Sequence, residues 1–366
     1  MQFDCPRKEF SEAVAMAAAV ASTRTTLPIY TNLKIEATDQ GIRIVGSDQE
    51  LWVERKTTCM VSEPGSACLA AKTLNEIVNA MPDGDIHLEV NELGVAKLTQ
   101  GASEYVLQTM DPADFVEPPE LPEETSLKLP MSVLRKAIDS VTIAVSPDPH
   151  RQVLTGVLFT TEENRLRLVA TDTHRLCVRT IPSVGGETKI NAIVPEKALK
   201  AIKALPLSDE DEIELKFGNA QIGAEVNGAK VVSQLLQGQF PNWQRVVPSE
   251  STRTWTVEVD KLTETLKRVM IIARDSASRI RFKGEDGQIF ISAHADEHGE
   301  AKEELAMISD NGDISIAFNG KYVQEVLGVL GGAGVKIEMT ESARAALFKP
   351  AESEPDFICV IMPMQL

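Results

Sequence analysis

The chain has 366 residues, of which 43% are hydrophobic and 25% charged, and a formal net charge of −17. This is the composition of a folded globular protein with apolar side chains enough for more than one core, which excludes a mainly disordered chain. No apolar run nears the roughly 18 residues of a membrane span, the first residues lack a signal-peptide core, and a cytoplasmic protein is expected. Taken alone, the acidic balance also argues against a nucleic-acid partner.

In chain order, the elements recur. Phe10, Val14, Ala17 and Ala21 place one apolar stripe on a helix predicted over 7–22. Leu33, Ile35, Ile42 and Ile44 then alternate on either side of a glycine turn, which reads as a β-hairpin. A helix over 71–81 with Leu74 and Ile77 follows, and then an alternating strand at Asp85–Val90. The order returns with Leu134, Ile138, Val141 and Val145 (helix 131–146), with Val157, Phe159, Leu166 and Leu168, with Leu199 and Ile202 (helix 195–205), and with Glu212–Phe217. It returns again with Leu262, Leu266, Val269 and Ala273 (helix 260–276), with Ile280, Phe282, Ile289 and Ile291, with Val323 and Val326 (helix 319–328), and with Val335–Met339. Pro6 and Pro130 sit where a first helical turn tolerates proline, and Asp260 is the expected N-cap of the fifth helix. The fold class is therefore α+β: three tandem pseudo-repeat domains, each with two helices packed on antiparallel sheet. Linker-like stretches at 117–127 and 248–253 place the domains at 1–125, 126–253 and 254–366.

The motifs argue against an enzyme. Five cysteines, an odd number with no C-x-x-C spacing, fit small buried hydrophobes in a reducing compartment rather than disulfides or a zinc-thiolate site. Thr171-Asp-Thr-His-Arg-Leu176 lacks any nucleophile signature and reads as a strand-end turn shaping a surface pocket. His294-Ala-Asp-Glu-His298 matches H-x-x-E-H, but that zinc chemistry needs both imidazoles on one helix face, and this segment follows a strand and precedes Gly299. A metal-dependent hydrolase on this pair is the competing enzyme reading, and a monomeric repeat scaffold is the competing structural one. Gly331-Gly-Ala-Gly334 follows a helix and reads as a C-cap and turn rather than a phosphate loop.

Two apolar features stand outside the core pattern. Ile271 points away from the stripe of its helix and Ile272 lies at its edge, so they form a partner surface or lie under a loop. The C-terminal segment from Phe357 to Leu366 stays apolar almost throughout: it completes the third sheet, lines a groove, or does both. Pro363 should end strand pairing, leaving Met362 and Met364 either at the surface or filling the edge of the third core.

These stretches together resemble one family. Met362-Pro-Met-Gln-Leu366 resembles M-P-M-R-L with Gln365 for Arg, and Thr171-Asp-Thr-His-Arg-Leu176 resembles T-D-G-H-R-L with Thr173 for Gly. Gly238-Gln-Phe-Pro-Asn-Trp243 with Arg245-Val-Val-Pro248 resembles G-x-F-P-x-Y with R-V-x-P, and Thr26-Leu-Pro-Ile-Tyr-Thr-Asn32 resembles T-L-P-I-L-x-N. The family is the bacterial DNA polymerase III beta subunit, the sliding clamps, and the resemblance spans the chain. It implies a non-catalytic processivity factor with no cofactor and no metal, a head-to-tail ring homodimer encircling double-stranded DNA without sequence preference. It implies a groove for short Q-L-x-L-F-type peptides of the DNA polymerase III catalytic subunit, the clamp loader, and other polymerases and repair factors. By motif, the groove residues are Leu154, Thr171, Thr173, His174, Arg175, Leu176, Pro241, Arg245, Val246, Val360, Ile361, Met362, Pro363, Met364 and Leu366. Ile271 and Ile272 match the ring interface, facing an aromatic at Tyr105.

The resemblance also answers the charge objection. The six predicted helices carry a net +4, so the remaining chain carries −21: the segments expected to line the DNA are mildly basic and the rest is strongly acidic. Candidate phosphate-facing residues are Arg135, Lys197, Lys200, Lys203, Lys267 and Arg268, with Arg24 and Arg151 on the loops after first helices. The expected location is cytoplasmic, with the nucleoid.

Overall fold

The structure is a computed structural model that describes residues 1–22, 25–182, 189–274, 277–352 and 356–366. The first copy contains β1 (Gln2–Pro6), α1 (Arg7–Ala18), β2 (Asn32–Thr38), β3 (Gly41–Ser47), β4 (Leu51–Thr57), β5 (Met60–Glu63), β6 (Gly65–Ala70), α2 (Ala71–Ala80), β7 (Asp85–Val90), β8 (Val95–Gln100) and β9 (Ser103–Met110). The second contains β10 (Thr125–Pro130), α3 (Met131–Thr142), β11 (Gly156–Glu162), β12 (Arg165–Thr171), β13 (Arg175–Pro182), β14 (Asn191–Pro195), α4 (Glu196–Lys203), β15 (Glu212–Phe217), β16 (Gln221–Val226) and β17 (Ala229–Gln234). The third contains β18 (Arg253–Glu258), α5 (Val259–Ala273), β19 (Arg279–Glu285), β20 (Gln288–Ala295), β21 (Gly299–Ala306), β22 (Ile308–Asp310), β23 (Ser315–Asn319), α6 (Gly320–Leu330), β24 (Gly334–Met339), β25 (Ala346–Pro350) and β26 (Phe357–Ile361).

The repeat holds to the level of single residue pairs. Ile35 lies opposite Ile44, Phe159 opposite Leu168, and Phe282 opposite Ile291, so equivalent residues oppose one another in all three hairpins. All six are fully buried, and that burial fixes the register, since a one-residue slip would turn each apolar set to solvent. The hairpin turns differ in chemistry. Glu163 and Asn164 both have positive φ, as do Asp286 and Gly287, which is the I′ geometry that matches strand twist, so the second copy makes its turn without glycine.

Each copy also opens with a strand that the hydrophobic pattern missed, β1, β10 and β18, ending where its helix begins. The N-cap of α5 is Glu258, with no side-chain cap bond, and Asp260 lies inside the first turn instead; it still meets the positive end of the helix dipole. Two helices end before their stripes, α1 at Ala18 and α3 at Thr142, whereas α5 ends at Ala273, the last residue of its stripe. In the first copy, Phe10, Val14 and Ala17 of α1 and Leu74 and Val78 of α2 share one core with Leu33, Ile35, Ile42 and Ile44.

By contacts the chain divides into two compact units: residues 1–134 with 194–235, and 135–193 with 236–366. The first unit holds a 13-stranded sheet, in which the last strand of the second copy, β17, pairs with β4 of the first. The second unit holds a nine-stranded and a four-stranded sheet, and the last strand of the third copy, β26, pairs in the same way with β13 of the second. Within this unit Phe282, Phe318 and Phe348 stack edge to face at 5.6 and 5.5 Å. Buried Trp255 donates its indole N–H to the Gly312 carbonyl at 2.7 Å. Gly284 makes room for this contact, since a Cβ there would lie 2.3 Å from the Gly312 oxygen.

Four of the five cysteines are buried, and Cys59 is half-buried. Among the described residues, no helix is long and apolar enough to cross a membrane and no cluster of metal ligands occurs. His294 lies on strand β20 and His298 in the turn after it, so the two do not share a helix face.

Candidate functional site

The second unit carries an apolar cavity of about 220 Å³ on the nine-stranded sheet. Its walls are Leu154, Thr171, Thr173, Leu176, Arg175, Pro241, Trp243, Val246, Val360 and Met362. The floor follows from strand register: Leu176 on β13 lies opposite Val360 on β26, and both belong to a cluster with Leu158, Val169, Val178 and Leu347. Phe240, Trp243 and Val247, from the segment after β17, pack onto that cluster. The cavity has room for one or two apolar side chains and is smaller than the usual small-molecule or cofactor site.

The turn from Asp172 to His174 forms one wall, and side chains replace the bonds a regular ladder would make. Asp172 accepts the backbone N–H groups of His174 and Arg175 at 2.9 Å each. The Thr171 hydroxyl donates to the Arg175 carbonyl at 2.7 Å and accepts the Thr173 N–H at 3.2 Å. Thr173 has φ +80°, a left-handed conformation that a β-branched residue adopts only under strain. Its hydroxyl accepts a hydrogen bond from Arg151 at 2.9 Å, and Arg151 also pairs with Asp148. A loop cation that the family resemblance assigned to DNA thus joins the cavity rim.

Behind this wall is a buried ionic cluster. The Arg175 guanidinium is 8% exposed, pairs with Asp172 at 3.1 Å and with Glu325 of α6, and lies 4.2 Å over the Tyr322 ring. Burial pulls the Arg175 pKa down, but the two carboxylates outweigh it and the net shift is upward. Burial and Asp172 push the Tyr322 phenol up. Tyr322 also stacks on His174, with centroids 6.5 Å apart. Sequence reasoning missed Tyr322 and Glu325. Their one signal is that they flank the stripe of Val323 and Val326 that α6 buries, at its border rather than within it.

Not all the motif-assigned residues converge. Nine line the cavity, whereas Arg245 lines the adjoining depression of about 1010 Å³, which also includes Val246 and Met362. Ile361 is buried and pairs with Arg175 and Ala346. Strand pairing of β26 ends there, ahead of Pro363, yet the tail remains tied: Met362 N–H donates to His174 O, and beyond the proline Met364 N–H donates to Ala317 O of β23, each at 2.8 Å. Leu366 lies beside Ala317 in another depression, away from the cavity.

Several of the cation candidates carry acidic partners of their own. Lys197 lies 2.7 Å from both Asp48 and Glu50, Lys200 is 2.8 Å from Glu196, and Arg268 donates to Glu303 at 2.8 Å. Burial lowers the Lys197 pKa, but its two carboxylates raise it further, so it stays charged. Lys267 is exposed on α5. Arg24 lies outside the described residues. The observed helices keep the net +4 of the predicted ones.

Ile271 is 60% exposed and Ile272 is half-buried, so Ile271 is not covered by a loop of its own chain. Tyr105 is 37% exposed on β9, next to exposed Val106. From Ser103 to Gln108, β9 pairs only with β8; β6 meets it only at Thr109 and Met110. On the four-stranded sheet β21 is an edge strand.

Three family models span the chain: the DNA polymerase III beta subunit N-terminal domain matches residues 1–121, the central domain 128–242 and the C-terminal domain 244–365. The chain is 29% identical over 375 aligned positions to the beta sliding clamp of Staphylococcus aureus, covering 100% of this chain and 99% of that protein. It is similar in structure to the DNA polymerase III subunit beta of Pseudomonas aeruginosa, at 28% identity and a TM-score of 0.91, with 100% of both chains covered. A sliding clamp from Bartonella birtlesii, determined with griselimycin bound, is 25% identical with a TM-score of 0.93, again over 100% of both chains.

Proposed function

We propose that this chain, which belongs to the DNA polymerase III beta subunit family of sliding clamps, works as a head-to-tail homodimer closed around duplex DNA. The observation that carries this reading is the strand exchange between copies. The last strand of the second copy completes the sheet of the first, and the last strand of the third completes that of the second. Applied once more, the rule pairs the last strand of the first copy, β9, with β21 of a third copy, the equivalent of β4 and β13. Both strands have an open edge, so a second chain can supply the partner, and a repeated heterologous contact that closes makes a ring. Tyr105 on one side and Ile271 with Ile272 on the other would lie in that junction. The domains are 1–125, 126–253 and 254–366, three in each protomer.

The ring is a processivity factor for DNA replication, without catalysis, acting in the cytoplasm. Its helices line the hole, with Arg135, Lys197, Lys200, Lys203, Lys267 and Arg268 toward the DNA. Phosphate contact there is weak and carries no sequence information. The 220 Å³ cavity takes the apolar side chains of Q-L-x-L-F-type peptides on the polymerase III catalytic subunit, the clamp loader and repair factors, with the tied tail at its rim. The test is retention. Protein loaded on closed circular DNA should stay bound until the circle is cut, and then run off the ends. Equal retention on linear DNA with free ends would refute the topological reading. Removal of residues 362–366 should abolish polymerase stimulation and leave the dimer intact.

A further inference from the structure

Four of the five cysteines form two facing pairs. Cys177 and Cys359 lie directly opposite on β13 and β26, with their sulfurs 3.1 Å apart, and both are fully buried. The other pair lies at a sheet edge. In the antiparallel ladder of β1 and β5, Phe3 faces Val61 and Asp4 faces Met60; one step further along that register Cys5 meets Cys59, the residue just before β5, and the two thiols hydrogen-bond. β5 is the outermost strand of the 13-stranded sheet. Cys5 is buried in the core of the first copy, and Cys59 packs against that core while remaining half open to solvent. Directly opposed residues of antiparallel strands have Cβ atoms close to the separation a disulfide requires.

We propose that Cys5 and Cys59 are an oxidation site for hydroperoxides, with Cys59 the sulfur attacked and Cys5 the resolving thiol. The proposal is independent of the ring reading. A reactive thiol needs stabilised thiolate, access and a neighbour to trap the oxidised form. Cys59 has all three. The Cys5 thiol and the Ile42 backbone N–H bond to its sulfur and lower its pKa, while the hydrogen bond to Cys59 and burial hold the Cys5 proton in place. The remaining cysteines lack access: Cys68 and Cys177 are buried, and burial pushes both thiols up, Cys68 to about 12.

The chemistry balances with hydrogen peroxide as the oxidant. The Cys59 thiolate attacks one peroxide oxygen, the O–O bond breaks as an S–O bond forms, and the departing hydroxide takes a proton from solvent to become water. The Cys5 sulfur then attacks the sulfenic sulfur of Cys59; the S–O bond breaks as the S–S bond forms, and the Cys5 proton leaves with the hydroxyl as a second water. Two thiols are oxidised to one disulfide and one peroxide is reduced to two waters.

The full chain, reduced and then exposed to hydrogen peroxide at neutral pH, is quenched with iodoacetamide at intervals and mapped by peptide mass spectrometry. Cys59 should lose alkylation at least about tenfold faster than Cys68, Cys177 or Cys359. A peptide linking Cys5 to Cys59 should appear at the same rate and vanish on treatment with dithiothreitol. Cys59 reacting no faster than Cys68, a first linkage between Cys177 and Cys359, or irreversible oxidation of Cys59 without linkage would each overturn the proposal. In Cys5→Ser, dimedone should trap a sulfenic acid on Cys59. The comparison of rates within the wild-type chain needs no variant to fold.

Discussion

Replacing Arg175 with alanine tests the wall of the cavity. The guanidinium is 8% exposed, and so is its partner Asp172, so the variant leaves a buried carboxylate that has lost its cation. Asp172 keeps the two backbone N–H bonds to Oδ1, and only Oδ2 is left without the Arg175 Nε–H. An orphaned buried charged acceptor costs about 1–3 kcal/mol. Losing the guanidinium from the Tyr322 ring adds about 1 kcal/mol. Glu325 is 47% exposed and re-solvates, so its pair adds little. The expected loss is about 3 kcal/mol, at the low end for breaking a buried ion pair. Urea unfolding followed by tryptophan fluorescence measures it, because Trp243 and Trp255 both lie in the second unit. Arg175→Lys keeps the charge but not the fork, and should recover less than half of the loss. A loss below about 1 kcal/mol for Arg175→Ala would mean that the cluster is solvated and does not hold the wall.

Ile271→Asp should leave the fold intact within about 0.5 kcal/mol, since the residue is largely exposed. It should also lower the native mass toward that of one 39.9 kDa chain; an unchanged dimer would remove Ile271 from the junction. Glu54 is buried, which raises its pKa, but Arg43 at 2.8 Å and Lys56 outweigh burial and the net shift is downward from 4.5. A carboxyl depressed in the folded state stabilises above its unfolded pKa and loses that contribution as pH falls through the folded value. Glu54→Gln should therefore cost about 2 kcal/mol at pH 7, and the gap from wild type should close below pH 4.5 in acid denaturation. Lys267→Ala should make the slope of log affinity against log salt shallower by about one unit, whereas Lys197→Ala should change it less, because two carboxylates already hold that ammonium. Equal slopes for the two variants would show that the Asp48 and Glu50 pairs open on DNA.

The hairpins were legible because burial forces period-2 alternation, and three copies repeat it in one phase. The opening strands were not: β1 has only Phe3 and Cys5 as buried apolar residues, too short a pattern to separate from a helix leader. Asp260 carried the chemistry of a cap but sits two residues too late, because the preceding strand β18 extends to Glu258. The cavity was legible only by motif. Its walls come from Leu154, the turn after β12, the segment at Pro241–Val246 and the chain end, and no local periodicity records that these meet. The Cys5–Cys59 pairing was invisible for the same reason: 53 positions separate them, and only strand register brings them face to face.

Thr173 shows how a departure from a motif gains meaning from its neighbours. Glycine, the family's residue there, takes φ +80° without strain, whereas threonine carries a cost on the order of 1–3 kcal/mol. The same side chain makes two contacts that glycine cannot: it receives Arg151, and it lines the cavity. Arg151 is in turn held by Asp148, whose carboxylate also caps the His150 N–H, so the loop after α3 and the cavity rim form one hydrogen-bonded unit. Replacing Thr173 with glycine relaxes the backbone and releases Arg151 together, and the two effects oppose each other in stability. Arg151→Ala cuts the same hydrogen bond without relieving φ. If the hydroxyl–guanidinium bond fixes the rim, both variants should alter peptide affinity alike while their melting temperatures diverge, with Thr173→Gly the higher. Affinities that instead followed the melting temperatures would assign the effect to backbone strain alone.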